Sequence, residues 1–424
     1  MAQATAEGGL KPAMLGSPRP GGWDLFRSSA EQRLEGVELP GQGEEAWKYL
    51  DLRPLWELPF RPAPPSRVEA CPTILPEAKA SRLVFLNGRC DPHHCSVAGL
   101  PDGVAFRTLV PGEAALGTVL GEEPAFFPDL NAARFMEGAI LRVPAGCRVV
   151  TPLHLLFWNQ GGEGCPVVLP RLFVHLGAGA EATLVEEHAG EGAYLSAPVV
   201  EVLLEEGAVL DHERIQREGP EAFHFATLGA QVAGRAAYRS RTVSFGAWIS
   251  RQEPRIRFTG EEAELTLDGL ALLGGRQVAD THSRIDHAHP RCVSGQLHKC
   301  VAGDRSRAVF NGRILVHPGA QQTDARQQSR NLLLSEEARV DTKPQLEIFA
   351  DDVKCAHGAA IGQLDPEELF YLQSRGFSPE LARNVLTYGF ASDLLGRIAV
   401  PSLRRRLRHA VLDRTEGGAQ LEGL

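Results

Sequence analysis

A turn glycine followed by a short alternating strand recurs at Gly179 (GAEATL), Gly207 (GAVLDH), Gly234 (GRAAYR) and Gly260 (GEEAEL), at separations of 28, 27 and 26 residues. A later set begins at Gly303, Gly319 and Glu336, 16 and 17 residues apart. Stacked turns of this kind close their backbone hydrogen bonds on neighbouring coils and share one continuous interior, which is the physical logic of a β-solenoid. The period drifts, so a sandwich of two sheets also accommodates it. The end coils of a solenoid expose strand edges that must be capped or paired. An edge-to-edge partner is therefore expected, with a homodimer as the self-pairing form when partners are absent.

Around this repeat the chain changes character twice. Helices are expected over Trp23–Glu35, with Asp24 as N-cap, over Glu44–Leu52, and over Gly112–Leu120. Proline-rich sequence runs from Pro54 to Pro76, and a strand, Leu83–Leu86, ends at the turn Asn87-Gly88. Leu265 and Leu267, and later Leu346, Ile348 and Ala350, alternate with other residues as in strands with one buried face. Helical signals return at Asp365-Pro366-Glu367-Glu368, a cap followed by a first-turn proline and two acids, in a helix ending at Gly376. Ser378-Pro379-Glu380 starts another, and Pro401 separates a third helix from a fourth. The expected division is residues 1–22 as a flexible start, 23–126 as a mixed, largely helical region, 127–364 as the solenoid core and 365–424 as a helical tail. The tail holds too small a core for all its apolar residues, so part of that surface is expected to dock elsewhere.

Composition narrows the function. A net charge of -9 and a pI near 5.9 argue against nucleic acid as a partner. The run Arg404, Arg405, Arg406 and Arg408 reads as a solvated helix face, with an acidic partner as the alternative. Neither a secretory signal nor a membrane-length apolar run is evident, and the 8 cysteines read as thiols of a reducing, cytoplasmic setting. No phosphate-cradling G-x-x-x-x-G-K-[ST], no G-x-S-x-G elbow and no dinucleotide glycine run occurs.

Three clusters carry metal-ligand chemistry. Cys90-Asp91-Pro92-His93-His94-Cys95 has zinc-type ligands but lacks a second paired knuckle, and reads equally as a turn. In His282, Asp286, His287, His289, Cys292, His298 and Cys300, alternation would put His287 and His289 on one strand face, against a reading as packed solenoid turns. Cys355 and His357 stand two positions apart, so a strand presents thiol and imidazole on one face to an iron, a cluster or a partner. Packing explains that pair as well.

With these residues laid out, the chain resembles the SufB/SufD family of iron-sulfur cluster assembly proteins, the SufD branch in particular. The resemblance is strongest from Thr281 to Ile398: Thr281-His282-Ser283-Arg284-Ile285-Asp286-His287, Gly303-Asp304-Arg305-Ser306-Arg307, Val316-His317-Pro318-Gly319-Ala320-Gln321, Gln328-Ser329-Arg330-Asn331, and Asp352-Val353-Lys354-Cys355-Ala356-His357-Gly358. Weaker matches reach forward to Glu45-Ala46-Trp47-Lys48-Tyr49. It implies a right-handed parallel β-helix between helical ends, and a non-catalytic scaffold that forms a heterodimer with SufB and docks the SufC ATPase on its tail. The resemblance assigns that docking to Leu369, Phe370, Tyr371, Leu372, Tyr388 and Phe390. It makes His357, then Cys355, the candidates to bind iron or a transient cluster at the SufB interface. It lends no support to a zinc site at Cys90 and Cys95, and associates a reduced flavin with the complex without a residue here to hold it. Cys300, after Lys299, departs from the family's glycine and reads as packing. The competing readings are a stand-alone metal-dependent solenoid enzyme built on His287, His289 and Cys292, and a purely structural partner of SufB.

Overall fold

From Val199 onward successive strands alternate strictly between two sheets, so each coil lays one strand in either sheet. In the computed structural model, which describes residues 9–414 apart from 72, 113–115 and 122, one sheet has 12 strands and the other 10. Strand pairing is parallel except at the amino-terminal end, where Arg82–Leu86 meets Arg89–Cys90 and Ala105–Thr108 meets Gly138–Val143 in antiparallel fashion. The architecture is a parallel β-solenoid flanked by helices. Hydrogen bonds that run from coil to coil rule out the sandwich, whose strands pair with antiparallel neighbours.

The repeat glycines line one corner of the stack. Strands Glu181–Glu191, Val209–Glu218, Ala237–Ser244 and Glu264–Leu273 follow Gly179, Gly207, Gly234 and Gly260 and pair in register within the ten-stranded sheet. Gly179 and Gly207 have φ of 65° and 68°, and a Cβ on Gly260 would stand 2.3 Å from the Gly234 nitrogen. Left-handed backbone and close coil-to-coil approach both demand glycine here. The shorter spacing of the later set is a half-coil: Gly303, Gly319 and Glu336 precede Arg307–Val316, Thr323–Leu333 and Arg339–Ile348, which fall in alternate sheets.

Inward residues form columns along the stack. Leu172, Val200 and Leu228 sit in the main core with Leu210, Tyr238 and Leu265 from the facing sheet. Each such large apolar side chain contributes about 1.5–3 kcal/mol by leaving water. Leu265 and Leu267 are buried as their alternation predicts, whereas Leu346 is only half-buried and Ile348 exposed because their strand, Arg339–Ile348, belongs to the last coil.

Among the described residues, seven α-helices flank the solenoid: α1 Leu10–Leu15, α2 Asp24–Glu35, α3 Arg53–Trp56, α4 Phe126–Arg134, α5 Pro366–Ser374, α6 Pro379–Leu395 and α7 Pro401–Asp413. Several differ from expectation. The stretch expected to be flexible contains α1, whose Leu10 and Met14 are buried and whose Met14 carbonyl accepts from Arg134 Nε at 3.0 Å. Asp24 is the first helical residue of α2 and not its cap; Trp23 holds that place at φ 64°, packing toward Phe135. Glu44–Leu52 forms successive tight turns instead of a helix, since Trp47 is drawn onto Phe127 and Phe225 and Leu50 into the core, so tertiary packing overrides propensity. Of Gly112–Leu120, 113–115 lie outside the described residues and the rest forms turns. The sheets begin before residue 127, with Arg82–Leu86 already in the ten-stranded sheet.

Among its described residues the tail has three helices where four were expected, because α6 continues unbroken to Leu395. Asp365 Oδ1 and Ser378 Oγ accept from Glu367 N and Leu381 N as N-caps. Helices α6 and α7 lie on the outer face of the ten-stranded sheet, where Leu394, Leu403 and Leu407 join Ile215, Val243 and Leu270. Arg397–Asp268, Arg406–Glu187 and Lys299–Asp393 ion pairs fasten them, at 2.9, 2.8 and 2.7 Å. Part of the arginine run is thus spent within the chain.

Candidate functional site at the open end

Among the described residues, the last two strands, Arg339–Ile348 and Val353–Gln363, each pair along one edge only, with Arg307–Val316 and Thr323–Leu333 respectively. Their other edges present backbone N–H and C=O groups without a neighbouring strand. Ile361 is 46% exposed and Phe349 63%.

Register fixes where Cys355 and His357 point. Cys355 continues the column Leu210, Tyr238, Leu265, Ser294 and Ala325; His357 continues His212, Ser240, Leu267, Gln296 and Gln327. Both columns face the interior, as shown by the core packing of Leu210, Tyr238 and Leu267 and by Gln296, which meets Ser283 of the facing sheet across the bore. The pair therefore lies on the inward face of the final coil, with no further coil above it among the described residues. Cys355 is half-buried and His357 exposed. Burial pushes the Cys355 thiol up, so it must shed a proton to act as thiolate. One coil below, Gln327 donates to Gln296 at 2.8 Å while its own Oε1 is buried without a hydrogen-bond partner. Polar groups thus line the bore just beneath the pair.

The second cluster disperses. The strand Val278–His287 ends at His287, and His289 lies in the following turn, so the two do not share a strand face. His287 is buried with Nε2 2.8 Å from Ser294 Oγ, and Cys292 donates to the Gly260 carbonyl. His298 stacks on Phe310 at 4.8 Å, and His282 points to the opposite face, toward Asp280 at 3.0 Å. Burial lowers His287 and His298 to about 4 and pushes Cys300 up to about 12. Among the described residues, no group of three or more His, Cys, Asp or Glu is arranged to hold a metal ion. In the tail, Lys299 Nζ stands over the Phe390 ring at 4.7 Å and Arg408 over Tyr388 at 5.4 Å, so these two aromatics serve the packing of α6. Leu369 and Leu372 are half-buried, whereas Phe370 and Tyr371 are 73% and 56% exposed on α5, which buries none of its residues.

Two features escaped the sequence. Midway along the bore, Glu186 pairs with His188 and His212 at 2.6 and 2.9 Å beside Arg214, and Glu218 with His224 at 2.8 Å, all buried. Burial pushes the Glu186 carboxyl upward, but Arg214 and the two imidazoles outweigh it and hold the group well below the carboxylate range. Outside, Arg255, Arg284 and Arg313 stack in register on the twelve-stranded sheet and line a cleft of about 720 Å³, each paired with a carboxylate, Glu253, Asp286 or Glu347. The available signal was polar residues at the inward parity of predicted strands, and arginines one coil apart at the outward parity.

A family model described as "SUF system FeS cluster assembly, SufBD core domain" matches residues 157–390, more than half of the chain. The chain belongs to the SufB/SufD family. Among its relatives, an iron-sulfur cluster assembly SufBD family protein of Synechocystis is 36% identical over 92% of this chain and 90% of its own length. The iron-sulfur cluster assembly protein SufD of Escherichia coli is 31% identical over 92% of both chains. The chloroplastic protein ABCI7 of Arabidopsis thaliana is 31% identical over 91% of this chain and 85% of its own length. These SufB/SufD relatives support the SufD branch and a place in iron-sulfur cluster assembly. Among the described residues no helix is long and apolar enough to cross a membrane.

Proposed function

We propose that the chain is the SufD-like, non-catalytic scaffold of a SufB–SufC–SufD assembly, working in the cytoplasm. Its open coil pairs with a SufB-like subunit, Cys355 and His357 meet iron or a nascent cluster at that junction, and a SufC-like ATPase docks on the tail through the exposed face of α5. The observation that carries this reading is the last coil: two strands with free edges, one of which, Val353–Gln363, ends its inward columns in a thiol and an imidazole. Thiolate and imidazole are both good ligands for iron, and a junction between two chains supplies the remaining ligands from the other side. Here the iron and the cluster are cargo. ATP-driven closure of the ATPase subunits moves the junction between closed and exposed states by favouring one of them.

The test is co-expression with the SufB-like and SufC-like proteins of the same organism, under anaerobic conditions, with the mass of the purified complex as first readout and cluster yield as second. A stable three-component complex whose His357→Ala variant assembles normally but forms fewer clusters is expected. Normal yield in both His357→Ala and Cys355→Ser would make the chain a structural partner only. A chain that runs alone with a stoichiometric metal would overturn the scaffold reading.

A further inference from the structure

The opposite end of the solenoid carries a sulfur pair to which the function proposed above gives no role. Strand Arg82–Leu86 faces Cys90 at Phe85, and further along the same edge Arg82 bridges Ser96. Three steps from Arg82 to Phe85 are matched by six from Cys90 to Ser96, so the segment between must bulge, with Cys90 and Cys95 at its two feet. The bulge is held from inside: Asp91 Oδ2 and His94 Nδ1 are 2.5 Å apart, Arg82 Nε donates to the His94 carbonyl at 2.8 Å, and Cys90 N donates to Glu137 Oε2 at 2.8 Å.

This frame brings the two sulfur atoms to 3.6 Å. Both cysteines are half-buried, packed on the core yet reached by solvent. Val84 N donates to Cys95 Sγ at 3.3 Å. The hydrogen bond from Cys90, against the opposing effect of burial, and the one from Val84 bring the Cys95 thiol down to about 7. Cys90 is pushed up by its contact with Cys95 and by burial. Cys95 Sγ, which accepts from Val84 N and sits against the Cys90 sulfur, is thus the readier of the two to ionise, and Cys90 the held thiol, the division of labour needed for thiol–disulfide exchange. A disulfide requires a sulfur separation of about 2.05 Å, so closing the bond draws the two sulfurs together from 3.6 Å.

We propose that Cys90 and Cys95 form a redox pair that closes to a disulfide by exchange with a low-molecular-weight disulfide such as glutathione disulfide. The Cys95 thiolate attacks one sulfur of the small disulfide; that S–S bond breaks, a Cys95 mixed disulfide forms, and the first small thiolate leaves. Cys90, losing its proton to solvent, then attacks the Cys95 sulfur, and the second small thiolate leaves. The two cysteines are oxidised by two electrons, the small disulfide is reduced to two thiols, and the protons lost by the cysteines are recovered on them. The product pins the cap of the first coil and leaves the open end untouched.

The test is differential alkylation of the purified full-length chain after equilibration across a range of glutathione ratios. The tryptic peptide 90–107, which holds both cysteines, is expected to lose two hydrogens and all alkylation in oxidising buffer, and to regain both sites on reduction. Cys90→Ser is expected to trap glutathione on Cys95, while Cys95→Ser collects none on Cys90. Full alkylation of peptide 90–107 in oxidising buffer would overturn the proposal, as would a bond from either cysteine to Cys71 or Cys147. The wild-type chain alone gives the first readout, so the pair is tested even if a variant misfolds.

Discussion

At the amino-terminal end the segment from Arg89 to Thr108 folds over the first coil, and Cys90, Cys95, Leu100 and Val104 pack against the core beneath it. Antiparallel partners close that end, and buried arginines tie the flanking helices on: Arg27 of α2 donates to the Ala133 carbonyl of α4 at 3.3 Å, and Arg171 of the sheet donates to Asn131 Oδ1 of α4 at 3.1 Å. At the carboxy-terminal end the strand Val353–Gln363 is exposed along nearly its whole length, and the bore ends in Cys355, His357 and Ile361. A solenoid needs both ends protected from pairing at random. One end carries its own protection in the sequence; the other leaves its strand edges unpaired among the described residues, which is what the proposed pairing with a second chain requires.

The largest expected difference between the two ends is in the cost of truncating a side chain. Phe157 and Phe85 are fully buried at the closed end, with ring centroids 5.2 Å apart. Phe157→Ala should lower stability by about 3–5 kcal/mol in denaturant unfolding. Ile361→Ala, at the half-exposed open end, should cost under ~1 kcal/mol in the isolated chain and show its effect only as weakened binding of the SufB-like partner. Equal costs would mean that the two ends are protected alike.

Acid should act on the enclosed interior. His287 and His298 are held neutral down to about 4 by burial, whereas an unfolded histidine takes up its proton near 6.5. Below about 6.5 the unfolded state binds more protons than the folded one, so stability is fully present above that pH and falls as pH drops toward about 4. The loss is up to roughly 3 kcal/mol for each residue. His298→Gln should flatten the curve of denaturation midpoint against pH in this window.

Smaller effects belong to the surface. Asp365→Ala removes the cap of α5 and should cost about 1 kcal/mol locally, visible as faster amide exchange in Pro366–Ser374. Phe370→Ala should change the stability of the chain by less than ~0.5 kcal/mol while reducing capture of the SufC-like ATPase. Unchanged capture would move the docking surface away from α5.

The corner glycines made the solenoid legible, because positive φ and coil-to-coil approach tolerate little else, and strand parity correctly placed Leu265, Leu267 and the shared face of Cys355 and His357. That this face is the inner one was not legible: it follows from register passed through Leu210, Tyr238, Leu265, Ser294 and Ala325, residues far apart in the chain. Parity also assumes an apolar interior, and so it overlooked Glu186, His188 and His212, whose burial is made tolerable by mutual hydrogen bonds. His289 was misplaced because alternation says nothing about where a strand stops. The helix expected at Glu44–Leu52 was lost to the packing of Trp47, a contact with Phe225 that no local pattern encodes.

Whether one end is closed by the chain itself and the other by a partner can be read from amide hydrogen exchange on the isolated chain and on the chain mixed with its SufB-like partner. Slow exchange is expected in Arg82–Leu86 under both conditions, and fast exchange in Val353–Gln363 that slows when the partner is added. Protection of Val353–Gln363 in the dilute isolated chain, or exchange there that the partner leaves unchanged, would contradict this division between the ends.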